Sequence, residues 1–224
     1  MNIALPIIAI ALIAGAFVGG YRFAQWRAVP EYPLYRGAAI RQQAGMIPAG
    51  GVLFIGDSIV EQGYTPTLCG LPVLNAGISG ATVEDLMPMA RDAINLAKPS
   101  RVLISVGLNN ALPKSKRVSI DSYGQQLDEM VAAAMAANAQ VSLLTQTAVR
   151  QDAALEIDLA KLKEIDTVIR QLAQHRKVQL IEISGALAGP DGQMAPALTI
   201  DGVHLTATGY AVWNDKITQE ACRP

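Results

Sequence analysis

The sequence predicts an α/β protein: a three-layer α/β/α sandwich around a five-stranded parallel sheet, preceded by one apolar N-terminal helix. Two observations carry this. Five short runs, "VLFIG" (52–56), "PVLNAG" (72–77), "RVLISVG" (101–107), "QVSLLTQ" (140–146) and "KVQLIEI" (177–183), are rich in β-branched residues and Leu and apolar on both faces. Such runs suit strands covered by helices on either side better than one-sided antiparallel strands. Between and after them lie four helical patterns, and regular strand–helix alternation is the signature of this layering.

Taken in order, the chain opens with a stretch from Met1 to Tyr21 that has no charged side chain. Its length is close to the ~20 residues that cross a bilayer as a helix, and it lacks the basic start of a cleaved signal. A single-pass transmembrane anchor over 1–21 is the expectation. Arg22, Arg27, Arg36 and Arg41 all follow the apolar run, which by charge bias alone keeps the remainder cytoplasmic. Residues 22–51, with Pro30, Pro33, Pro48 and Gly50-Gly51, read as a linker containing a short helix around Leu34–Ala44. The remaining chain, 52–224, is long enough for one domain with a sizeable core. Its helices are expected in "ATVEDLMPMARDAINLA", "SYGQQLDEMVAAAMAANA", "AALEIDLAKLKEIDTVIRQLAQH" and "TATGYAVWNDKITQEA". A net charge of −1, with 17% charged residues, argues against a nucleic-acid partner.

In a parallel sheet of this kind, reactive groups gather beyond the carboxyl ends of the strands. Four strand ends or loops carry them here. Ser58 follows "VLFIGD"; "NAGISGAT" (75–82) turns on glycines; Asn109 follows "RVLISVG"; Asp201 and His204 stand three apart just before the last helix. Each alone has an ordinary explanation, since Asp or Ser after a strand caps helices and Asn favours turns. The second histidine, His175, sits where a helix C-terminus is expected, a place that favours positive charge. The two cysteines are too few for a metal cluster, and no metal or cofactor is expected.

The four elements together resemble, in order and position, the SGNH hydrolases, or GDSL esterases and lipases, over roughly residues 50–220. The resemblance implies a flavodoxin-like sheet and a catalytic triad of Ser58, His204 and Asp201. It also implies an oxyanion hole made of the Ser58 and Gly80 N–H groups and the Asn109 side chain. Ser58 would be nucleophile, His204 general base and then acid, and Asp201 the group orienting the imidazole. No G-x-S-x-G elbow is present. Two departures stand out: Ile59 replaces the Leu of GDSL, and Asn110 replaces the acid of the usual G-x-N-D block. The second removes a charge beside Asn109 and puts the setting of that amide in question.

With this topology the first and last helices of the domain are neighbours, so Cys69 and Cys222 fall at the same end of the sheet, opposite the reactive residues. A disulfide between them is feasible if their Cα atoms lie within about 7 Å. A stable bridge implies an oxidising compartment, which pulls against the arginine count. The expectation is an anchored domain facing the extracytoplasmic side, the periplasm.

The expected activity is a serine ester hydrolase working through an acyl-enzyme. The small, apolar segment "SGALAGPDGQMAPALTI" (184–200) looks suited to lining a modest acyl pocket and so favours short, acetyl-like groups. Expected partners are a small ester or acylated saccharide and, through the N-terminal helix, a membrane. An acyltransferase to a sugar hydroxyl, a lysophospholipase or a thioesterase would use the same triad. A non-catalytic binding module is the alternative that the Asn110 exchange keeps open.

Overall fold

A computed structural model of the protein describes residues 31–113, 118–153 and 156–223. The chain divides into two compact units, 1–35 and 36–224. Within the first, residues 31–35 form the opening turn of helix α1 (Glu31–Ala44).

The second unit carries the sheet. In chain order its elements are β1 (Val52–Gly56), α2 (Ser58–Gln62), β2 (Thr67–Leu68), β3 (Leu71–Gly77), α3 (Val83–Ala97), β4 (Arg101–Ser105), α4 (Ile120–Ala136), β5 (Gln140–Leu144), α5 (Leu159–Arg176), β6 (Gln179–Ile181), α6 (Ser184–Leu187) and α7 (Ala207–Ala221). The sheet order is β2-β3-β1-β4-β5-β6. β3, β1, β4, β5 and β6 run parallel, and β2 pairs antiparallel with the start of β3. The expected five parallel strands are present, but the sheet is mixed and has six. The extra strand is a two-residue hairpin arm, too short to leave a hydrophobic period in the sequence.

Two-sided burial of the strands follows from their composition. On β1, Leu53 and Ile55 enter a core shared with α1, α3, α4 and α5, while Val52 and Phe54 enter a second core with α2, α6 and α7. Trp213 of α7 stacks on Phe54 with ring centroids 5.2 Å apart. Where composition reads as a linker, the part of α1 within this unit buries Ile40 and Ala44 completely. α5 begins at Leu159 rather than at 153, because the Asp158 side chain accepts the Lys161 N–H and starts the helix there. Cys69, between β2 and β3, is disulfide-bonded to Cys222 at the end of α7, with Cα atoms 5.2 Å apart.

The expected N-terminal transmembrane helix requires correction. No helix among the described residues is long and apolar enough to cross a membrane. The longest, α5, carries Lys161, Lys163, Glu164, Asp166 and Arg170 along its length. Residues 1–21, which prompted the expectation, lie outside the described residues. The single-pass anchor, the membrane partner and the localisation built on them are dropped.

Candidate active site

β1 lies where the strand order reverses, with β3 on one side and β4 on the other. In open α/β sheets the crevice beyond such a point is where ligands bind. Ser58 stands there as the first residue of α2, and Asp57 caps that helix by accepting the Ile59 N–H at 3.0 Å. The strand can turn so abruptly into the helix because Gly56 has no side chain: a Cβ there would lie 2.3 Å from Val60 Cγ2 and 2.4 Å from Ser105 O.

Ser58 Oγ lies 3.0 Å from His204 Nε2. On the other side of the ring, His204 Nδ1 lies 2.7 Å from Asp201 Oδ2. Asp201 Oδ1 accepts the N–H groups of His204 at 2.8 Å and Val203 at 3.0 Å, which curls the loop around the carboxylate. The loop is closed from behind by Thr199, whose hydroxyl donates to His204 O and accepts the Gly202 N–H. Burial alone would raise the Asp201 carboxyl. The bond to the His204 ring, the two backbone N–H groups and the attraction of the imidazole outweigh it and hold the group below the usual carboxylate range.

Two further strand ends converge on the same place. After β4, Val106 O accepts from Tyr123 Oη and from Gln146 Nε2, both at 2.9 Å, which fixes the chain as it enters the turn carrying Asn109. The Asn109 amide donates to Ala81 O at 3.0 Å, tying that turn to the loop after β3. In that loop Gly80 is exposed and adopts φ +77°, a conformation that favours glycine. All the residues expected at the site, Ser58, Gly80, Asn109, Asp201 and His204, are thus gathered beyond the sheet's carboxyl edge. His175 is exposed in the last turn of α5, away from them in the fold.

The replaced acid, Asn110, is 1% exposed and built into the start of α3. Its carbonyl oxygen accepts the Val83 N–H, and its amide donates to Glu84 Oε2, each at 3.2 Å. The segment 184–200, expected to line an acyl pocket, divides between core and surface, with Ile200 beside Asp201 exposed. Leu187 and Met194 are fully buried in the core beneath α7. Its Asp191–Gln193 turn borders a cavity of about 440 Å³ whose lining includes neither Ser58 nor His204.

Several polar residues around the site were not singled out in the sequence. Asp57 is buried, and desolvation pushes its carboxyl up to about 6 against the opposing Ile59 N–H and the charge of His204. Tyr210 donates to Ile59 O at 2.9 Å, and burial raises its hydroxyl above the ordinary tyrosine range. Asn75 donates to Val60 O and Gly63 O and accepts the Gly77 N–H, sewing β3 to the far end of α2. Its place at the head of "NAGISG" was the available signal, a polar side chain inside a buried strand.

A hydroxyl, an imidazole and a carboxylate in hydrogen-bonded sequence at the switch point of an α/β sheet define a hydrolase-like architecture. The chain belongs to the GDSL-like Lipase/Acylhydrolase family, which it matches over residues 54–212, and it is a hydrolase of ester bonds. It is 26% identical to an acetylxylan esterase of Geobacillus stearothermophilus over 197 residues, covering 72% of this chain and 89% of that one. Among solved structures it resembles the acetyl xylan esterase AlAXEase, at 25% identity and a TM-score of 0.63, over 75% of this chain and 97% of that one. A GDSL-like lipase from Bacteroides thetaiotaomicron shares the fold at 20% identity and a TM-score of 0.70, over 82% of this chain and 95% of the other.

Proposed function

We propose that the protein cleaves short-acyl, acetyl-like carboxylic esters through a Ser58–His204–Asp201 triad and an acyl-enzyme. The observation that carries this reading is the chain of contacts Ser58 Oγ–His204 Nε2–His204 Nδ1–Asp201 Oδ2, at 3.0 and 2.7 Å. With Nδ1–H donated to Asp201, Nε2 is the basic nitrogen and faces the serine hydroxyl. Ser58 Oγ attacks the ester carbonyl as its proton passes to His204 Nε2. The resulting oxyanion is met by the N–H groups of Ser58 and Gly80 and the amide of Asn109. Collapse of this intermediate breaks the bond to the alcohol oxygen, which leaves with the proton from His204. Water then attacks the acyl-Ser58 carbonyl and gives its proton to His204. Release of the acid returns that proton to Ser58.

The preference for a short acyl group on a saccharide is supported by the relatives described as acetylxylan esterases. Fluorophosphonate labelling tests the nucleophile: wild type is expected to label and Ser58→Ala is not. Labelling that persists in Ser58→Ala would overturn the assignment. Nitrophenyl esters of increasing chain length are expected to show the highest kcat/KM at acetate. A maximum at eight carbons or longer would sink the short-acyl reading.

A further inference from the structure

The loop that carries Gly80 is anchored on either side by the buried Ile78 and Ala81, but Gly80 at its tip is exposed and a Cβ there would meet nothing within 4 Å. Its orientation must come from its neighbours. One residue back, Ser79 donates its N–H to Glu61 Oε2 at 2.5 Å. Glu61 lies on α2, one helical turn beyond Ser58. Its other oxygen faces Arg36 Nε at 3.4 Å, and the two side chains are only 17% and 19% exposed. Arg36 in turn donates to Gly77 O at 2.9 Å, Asn75 O at 2.8 Å and Asn75 Oδ1 at 3.3 Å. The guanidinium therefore grips the last residues of β3, and the carboxylate grips the Ser79 N–H, one peptide before the N–H of Gly80. α2 can approach this closely because Gly77 has no side chain: a Cβ there would lie 2.2 Å from Glu61 N.

We infer that Glu61, held by Arg36, is a positioning residue that sets the direction of the Gly80 N–H. The inference rests on the reading of Ser58 as nucleophile and Gly80 as an oxyanion donor. Its physical content is that one short helix presents Ser58 at its first residue and fixes the Gly80 loop from its fourth. Nucleophile and donor thus move as one piece. Mostly shielded from water, the Arg36–Glu61 pair is screened less than a surface ion pair. A donor aimed at the oxyanion matters more in the transition state than in the bound ester, so its misalignment lowers kcat rather than raising KM.

Steady-state hydrolysis of p-nitrophenyl acetate by the full chain, with the inhibition constant of phenylboronic acid as tetrahedral probe, tests this. Glu61→Ala is expected to lower kcat by roughly 10–100-fold, the scale of a small misplacement of catalytic groups, with KM within twofold. Glu61→Gln keeps an acceptor for Ser79 but loses the charge facing Arg36, and is expected to lose roughly three- to tenfold. Boronate affinity should fall in parallel with kcat/KM. A folded Glu61→Ala with kcat within twofold of wild type, or a loss confined to KM, overturns the inference. Should Glu61→Ala not fold, Glu61→Gln decides by the same criteria. Ser58→Ala separates the two readings: if it is inactive while Glu61 variants are unaffected, only the positioning role fails; if it retains wild-type activity, the nucleophile assignment fails first.

Discussion

Asn110 donates to the Glu84 carboxylate at 3.2 Å while accepting the Val83 N–H at the same distance. The exchange that sets this chain apart from the usual G-x-N-D block therefore has a partner in the structure. An amide can both cap the N-terminus of α3 and donate to Glu84; an aspartate could only accept. Asn110→Asp is accordingly expected to place two carboxylates together at a buried position and to destabilise the protein by about 1–3 kcal/mol. Glu84→Gln in the same chain supplies a donor and should recover most of the loss. Urea unfolding of the two single variants and the double variant measures the coupling. An Asn110→Asp protein as stable as wild type would remove the compensation argument.

Asp57 gives a pH-dependent prediction. Its carboxyl titrates near 6 in the folded protein, against 3.8 ordinarily, because burial penalises the charge. Between about pH 4 and pH 6 the folded protein holds more protons here than the unfolded chain, so this group's contribution to stability falls as pH rises through that window. Asp57→Asn keeps the acceptor for Ile59 N–H and never ionises. It is expected to be more stable than wild type by roughly 2–3 kcal/mol at pH 8, and by little near pH 4. Urea midpoints at the two pH values check this expectation; a gain equal at both would contradict it.

Much of this was legible in the sequence for local reasons. β1, β3, β4, β5 and β6 announce themselves because both faces are apolar, and Ser58, Gly80, Asn109, Asp201 and His204 follow strands or precede a helix where chemistry collects. β2 has two residues and no period to read. The brace of Arg36, Glu61 and Asn75 joins a helix to a strand 39 to 41 residues away through side chains and carbonyls, and no local pattern encodes such a contact. The segment 184–200 shows the limit of composition, which is the same for a pocket wall and a core: Leu187 and Met194 serve the core, while Ile200 is exposed. The membrane reading rested on composition at 1–21, outside the described residues, and no described helix supplies a span.

The Cys69–Cys222 disulfide closes a loop with a sequence separation of 153 residues, and it sits at the end of the sheet opposite Ser58. Long-loop closure constrains the unfolded chain, so removing the bridge is expected to cost about 2–4 kcal/mol. For a protein of this size that corresponds to a drop in Tm of roughly 5–15 °C. Because the bridge touches none of the reactive residues, kcat/KM below the transition should stay within twofold. Thermal unfolding and ester hydrolysis with and without a reductant, repeated on Cys69→Ser/Cys222→Ser, measure both. A bridge whose loss abolished activity in folded protein would contradict this separation of stability from site.

Two glycines of "NAGISG" look alike in the sequence and are predicted to respond differently to the same substitution. At Gly77 a Cβ would lie 2.2 Å from Glu61 N and 2.6 Å from Glu61 Cα, both backbone atoms that cannot turn aside. Gly77→Ala must push α2 away from β3, opening the contact that holds Ser58 and the Gly80 loop together. A loss of about 3 kcal/mol or more is expected, on the scale of overpacking a core. At Gly80 the space is open and only the backbone objects: φ is +77°, which an alanine tolerates at about 1–2 kcal/mol. Gly80→Ala should therefore fold and purify like wild type with a modestly lower Tm. Its added methyl stands on the exposed face of the proposed oxyanion loop, so kcat/KM should fall further than stability does. Thermal unfolding of both variants, beside nitrophenyl acetate hydrolysis, tests the contrast; equal destabilisation at the two positions would mean that α2 does not bear on Gly77 as tightly as its geometry requires.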